Sequence, residues 1–108
     1  MKHNEIKAYF KKKLVQELTN HDVLSIDESL SSRVLYVIEK DTLRTTTVIR
    51  CWFATNDYHI SAYVVNNKHL KGEKLNQYKD QFIEVKGNYN QLHKLNIIMV
   101  AVKKHLGY

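Results

Sequence analysis

Proline is absent from these 108 residues and glycine occurs only three times, so no Pro/Gly-rich linker or low-complexity tail divides the chain. That length fits one compact domain, spanning residues 1–108. Cysteine is nearly missing too. Cys51 stands alone, which excludes an intrachain disulfide and a thiolate zinc cage. A reducing compartment follows as the expectation: intracellular, nuclear or cytoplasmic. No apolar run approaches the ~18 residues of a membrane span, and Met1-Lys2-His3-Asn4 lacks the apolar core of a signal peptide. Arginine is scarce, with three against 14 lysines.

What is present is globular and basic. Hydrophobic residues make up 44% of the chain, with seven Tyr, three Phe and one Trp, enough for a core. Seventeen basic side chains face 11 acidic ones, giving a formal net charge of +6. An anionic partner suits that balance. The charge does not choose among nucleic acid, acidic protein and membrane surface.

The first twenty residues read as a helix, because Ile6, Tyr9, Phe10, Leu14 and Leu18 recur at spacings of three and four. Asn4 serves as its N-cap and Asn20 as its stop. Residues 21–32 are a polar connector carrying Asp22, Ser25, Asp27 and Glu28. The period then changes to two. Residues 33–39 are apolar on both faces, as in a strand covered on both sides. Residues 45–54 form a second strand rich in β-branched and aromatic side chains. Thr55-Asn56-Asp57 is a tight turn, and residues 58–65 form a third strand. A short helix is expected within the polar stretch 66–80. Residues 81–86 make a fourth strand, with Gly87 marking a bend or bulge. Residues 94–103 make a fifth, with Leu95, Ile97, Met99 and Ala101 on one face.

A helix, a three-stranded meander, a helical connector and two more strands is the layout of a five-stranded Greek-key barrel, the OB-fold. The fold class expected is therefore all-β with accessory helices, the barrel occupying residues 33–104. A five-stranded open sheet with a helix on one face is the rival arrangement. The stretch 34–103 resembles the OB domains of the replication protein A and telomere-capping families. Phe82-Ile83-Glu84-Val85-Lys86-Gly87 is similar to their fourth strand, and the run 97–102 to their aliphatic fifth. The resemblance implies a non-catalytic subunit of a replication or telomere-type complex. It would bind single-stranded nucleic acid, with DNA placed ahead of RNA, and would have other protein subunits as partners.

Alternation sorts the hairpin into two faces. Ile49, Cys51 and Phe53 share one side with Tyr58, Ile60, Ala62 and Val64, and this more apolar set belongs inside. Arg50, Trp52, His59 and Tyr63 are left on an exposed surface, where aromatic and guanidinium planes would stack on bases. Lys40, Arg44, Lys86 and Lys94 are candidate phosphate contacts, and Tyr89 a further stacking residue. A protein-interaction adaptor is the alternative, with a basic groove or the helix stripe Ile6, Phe10 and Leu14 docking a larger partner. No enzyme is expected. The six histidines lack His-x-His or His-x-x-x-His spacing, so neither a metal site nor a cofactor is called for. Glu84-Val85-Lys86 has the Asp/Glu-x-Lys spacing of some metal-dependent nuclease strands, a minor alternative to the non-catalytic reading. No small-molecule substrate and no membrane partner are expected.

Overall fold

The computed structural model describes residues 3–26, 33–39, 45–66 and 80–108. Helix α1 covers His3–Glu17. Five strands follow, β1 Asp22–Ile26, β2 Arg33–Glu39, β3 Thr45–Phe53, β4 Asp57–Asn66 and β5 Asp80–Asn88. A single 3₁₀ turn, Leu92–Lys94, leads into helix α2, Leu95–His105. All strand pairs are antiparallel and the sheet order is β1-β2-β3-β4-β5. The result is an open five-stranded sheet with a helix before it and a helix after it. It is not a closed barrel.

Both helices pack on one face of that sheet. Ile6, Phe10 and Leu14 of α1, with Leu18 just past its end, are buried against Val34, Tyr36 and Ile38 of β2 and Ile49, Cys51 and Phe53 of β3. The Phe10 and Tyr36 rings sit 5.9 Å apart. Spacings of four place those α1 residues on one stripe, as the periodicity predicts. Tyr9 falls off the stripe and is exposed.

The largest departure from the sequence reading is α2, where a fifth strand was expected. Ile97, Ile98, Val100 and Val102 favour a strand by intrinsic preference. Leu95, Ile98, Met99 and Val102 nevertheless repeat at i, i+3, i+4 and i+7, and these four are the buried ones. Tertiary need decides the contest: Tyr58, Ile60, Ala62 and Val85 on β4 and β5 present apolar surface that a helix covers. The stop signal was also legible. Lys103, Lys104 and His105 occupy the last turn, where cations oppose the helix dipole. Gly107 follows in the left-handed region at φ 85°. Its amide donates to the Lys104 carbonyl and that of Tyr108 to the Lys103 carbonyl, which together close a Schellman motif.

A second departure is β1. Asp22-Val23-Leu24-Ser25-Ile26 looks like connector because it is short and runs into the polar stretch Asp27-Glu28-Ser29, yet it pairs with β2 in the register Leu24 to Val37. Val23 faces the helices and Leu24 the opposite side, where it is exposed. The C-terminal residues tie this region to α2. The Tyr108 hydroxyl accepts from the Asn20 amide at 2.9 Å and lies 2.8 Å from His21 Nδ1. Lys103 and Glu17 bridge the two helices at 3.8 Å.

The side of the sheet away from the helices is divided. At one end Val37, Val48, Tyr63 and Val65 form a second buried cluster. At the other end Arg33, Arg50, Trp52 and Lys86 are exposed. This explains why β2 is apolar on both faces without barrel closure: Val34, Tyr36 and Ile38 lie under the helices and Val37 in the second cluster. The helical connector expected at 66–80 and the turn at 40–43 fall almost wholly outside the described residues.

Candidate functional site

The site is built on the open end of the sheet. Register places Arg33 opposite Trp52, Trp52 opposite His59, and His59 opposite Lys86, so four strands contribute one side chain each to a single cross-strand row. The next row is Leu35, Arg50, Ser61 and Glu84. The two-residue turn between β3 and β4, closed by the Ala54 amide donating to the Asp57 carbonyl at 2.8 Å, holds this register. Trp52 is the chain's one tryptophan and is 43% exposed. A large aromatic left that open beside Arg33 and Arg50 is unusual on a sheet face, where such side chains normally bury.

A groove of about 510 Å³ lies at this end, lined by Trp52, Asp57, Tyr58, His59, Lys86, Gly87, Asn88 and Gln91. Its floor is tied down by hydrogen bonds. The Tyr58 hydroxyl donates to the Gln91 carbonyl at 2.5 Å. The Asn88 amide donates to Gln91 Oε1 at 3.1 Å, and the Asn90 amide to Asn88 Oδ1 at 2.9 Å. Burial pushes the Tyr58 phenol above its ordinary range.

Gly87 is at this floor for a reason the bend signal did not convey. A Cβ there would stand 2.7 Å from the Tyr58 hydroxyl oxygen and 2.8 Å from its ring carbon Cζ. The irregularity of the β4–β5 pair lies instead between Ala62 and Tyr63, opposite Phe82. Gly87→Ala is expected to destabilise the fold by about 1–3 kcal/mol through that overpacking. A urea titration of the variant measures it.

Charge at the groove is mixed. His59 Nε2 and Glu84 Oε2 are 3.0 Å apart, and Lys86 Nζ lies 4.0 Å from Glu84 Oε1. The His59 ring at that distance holds the Glu84 carboxyl below the usual carboxylate range, with Lys86 acting in the same direction. Lys94 Nζ donates to the Lys86 carbonyl at 3.2 Å and so braces the row from behind. Glu84 thus serves its neighbours on the sheet. Among the described residues no three His, Cys, Asp or Glu side chains gather where an ion could be held.

The residues expected at the site separate, with Lys94 behind the row as a brace. Arg50, Trp52, His59 and Lys86 share the open face, as alternation indicates. Tyr63 is on that face but only 8% exposed, inside the second cluster beside Val48. Tyr89 is buried as well, its hydroxyl donating to the Ala54 carbonyl, so its ring offers no stacking surface. Lys40 and Arg44 lie outside the described residues. Ile6, Phe10 and Leu14 are core, spent on the protein's own sheet and not available to dock a partner. Arg33 and Asp57 were missed. Pairing β2 with β3 by register would have placed Arg33 beside Trp52.

Cys51 faces the helices at 1% exposure, and burial pushes its thiol far above the ordinary range. It stays protonated and unreactive. No protein family, curated protein or solved structure matches the chain. No helix among the described residues is long and apolar enough to cross a membrane.

Among the described residues the positive charge is distributed unevenly. Lys7, Lys11, Lys12 and Lys13 on α1, with Lys94, Lys103 and Lys104 at α2, face only Glu5 and Glu17 in the helical layer. On the sheet, Arg33, Arg50 and Lys86 are balanced by acids that include Asp57 and Glu84.

Proposed function

We propose that this protein binds single-stranded nucleic acid, DNA ahead of RNA, on the open end of its sheet, without catalysing a reaction, as a subunit of a replication or telomere-type assembly. The observation that carries the reading is Trp52, exposed in the middle of a row whose other members include Arg33 and Lys86. An aromatic plane accepts any base, contributing ~1–3 kcal/mol per stacked base. Arg33, Arg50 and Lys86 are spaced along the same face to neutralise the phosphates on either side. The proposal needs no barrel closure.

Trp52 also supplies the test, since it is the chain's one tryptophan. Titration with a short single-stranded oligonucleotide is expected to quench its fluorescence. Three neutralised phosphates set a slope of roughly −2 in log K against log salt, or about a 20-fold loss between 50 and 200 mM. Unchanged fluorescence at low salt sinks the proposal. Glu84 is a brake in this scheme, because its carboxylate draws on His59 and Lys86 and repels phosphate. Glu84→Gln is therefore expected to tighten binding about 2- to 5-fold at low salt, an effect that fades as salt screens it. Titrations of that variant at both salt concentrations measure the gain.

The adaptor reading is favoured by one different observation. Ile97 and Val100 are 49% and 66% exposed on the outer side of α2, close in sequence to Lys104. An acidic amphipathic segment of a partner subunit would match such a surface. In that case docking falls to α2, since the apolar stripe of α1 is in the core.

A further inference from the structure

Asp57 is the feature of the groove that phosphate binding does not use. It begins β4 on the face that carries Trp52 and His59, two positions along from His59 and diagonal to Trp52 across the β3–β4 pair. That diagonal corresponds to ~7–8 Å, within the breadth of a stacked purine. Its carboxylate is exposed and engaged in no side-chain hydrogen bond or ion pair among the described residues. The two amide oxygens nearby, Gln91 Oε1 and Asn88 Oδ1, already accept from backbone amides. A carboxylate repels every phosphate of a nucleic acid. Within a DNA strand, what it complements in a groove walled by Trp52 is a base edge rich in donors.

We infer that the Trp52–Asp57 groove is a guanine subsite. The inference rests on the single-strand reading above and names the base that this surface prefers. Guanine alone among the four bases presents two adjacent donors, N1–H and the N2 amino group, on its Watson–Crick edge. A carboxylate accepts both at once, as it does from a guanidinium. Adenine and cytosine each offer one amino group beside a ring nitrogen acceptor, and thymine one N–H between two carbonyls. A carboxylate meets acceptor lone pairs in each of those three. With its plane against Trp52 and its edge toward Asp57, the guanine leaves its phosphate to Lys86 and Arg50 on the neighbouring strands.

The test uses the full chain and an eight-residue oligothymidylate in which one central position is dT, dG, dI or dA, read by quenching of Trp52. The dG strand is expected to bind about 5- to 150-fold tighter than the dT strand, the range for one good bidentate base contact. Hypoxanthine lacks the N2 amino group, so the dI strand is expected to fall most of the way back. Asp57→Asn keeps the backbone turn and is expected to erase the difference between dG and dT strands. Its thermal melt, matched to the unsubstituted protein, establishes that the variant is folded. Equal binding of dG and dI strands, or a dG preference that survives in Asp57→Asn, overturns the guanine subsite alone if the oligothymidylate still binds with steep salt dependence. If no strand quenches Trp52 at low salt, the guanine subsite and the single-strand reading fall together.

Discussion

Replacing Phe10 by alanine is expected to lower the stability of the protein by about 3–5 kcal/mol, the cost of an aromatic ring removed from a packed interior. Domains of this size are stable by only about 5–15 kcal/mol, so the variant is expected to sit near the edge of unfolding. The ring is 1% exposed, stands 5.9 Å from Tyr36, and belongs to the single cluster that joins both helices to the sheet. Chemical denaturation followed by far-ultraviolet circular dichroism checks the value. The experiment also separates two uses of α1. A helix docked on a partner would lose Phe10 with little effect on the free protein. A stability loss below about 1 kcal/mol would remove α1 from the core and return Ile6, Phe10 and Leu14 to the role of partner contacts.

The second large effect concerns binding and not folding. Trp52→Ala combined with Arg50→Ala is expected to weaken single-strand affinity at least 5-fold and up to about 150-fold, since one stacked base contributes ~1–3 kcal/mol. Fluorescence anisotropy of a labelled oligonucleotide reads it, because the variant has no tryptophan of its own. Stability is expected to change by no more than about 0.5 kcal/mol, as both side chains are exposed and outside either cluster. Unchanged affinity would dismiss the sheet face as the binding surface. Tyr63→Ala is a poor companion for this test. Tyr63 is packed with Val37, Val48 and Val65, so its removal would lower affinity by loosening the sheet.

Tyr63 and Trp52 show how far alternation carries. Both were placed on the same face of the β3–β4 hairpin, and the register bears this out through the pairs Val48 to Tyr63 and Trp52 to His59. A period of two says which side of a sheet a residue takes. It says nothing of what else lies on that side, and so it could not distinguish the buried tyrosine from the open tryptophan. Tyr89 was misplaced for a related reason. A polar loop surrounds it in sequence, yet its ring turns back under the β3–β4 turn and its hydroxyl bonds the Ala54 carbonyl.

The helix at 95–105 is a different kind of miss, because two signals competed within one segment. Residue type favoured a strand, while the spacing of Leu95, Ile98, Met99 and Val102 together with Gly107 favoured a helix. Local preference is worth tenths of a kilocalorie per residue, and burying one apolar face of a helix is worth several kilocalories. Spacing therefore wins when a sheet is present to be covered.

One cysteine excludes an intrachain disulfide, and alternation puts Cys51 inward with Ile49 and Phe53, where it is buried and burial pushes its thiol up. The α1 stripe, β2 to β5 and the inward faces of the central hairpin were all readable from period and residue type, because those properties are local. Whether five strands close or stay open was not readable, since closure depends on what pairs with the last strand. Turning 95–105 into a helix leaves β5 as an edge, with α2 on the face behind it and the end of the other face bare. Only the tertiary structure could then set Arg33, Trp52, His59 and Lys86 in one row, because each comes from a different strand and their meeting is a matter of register.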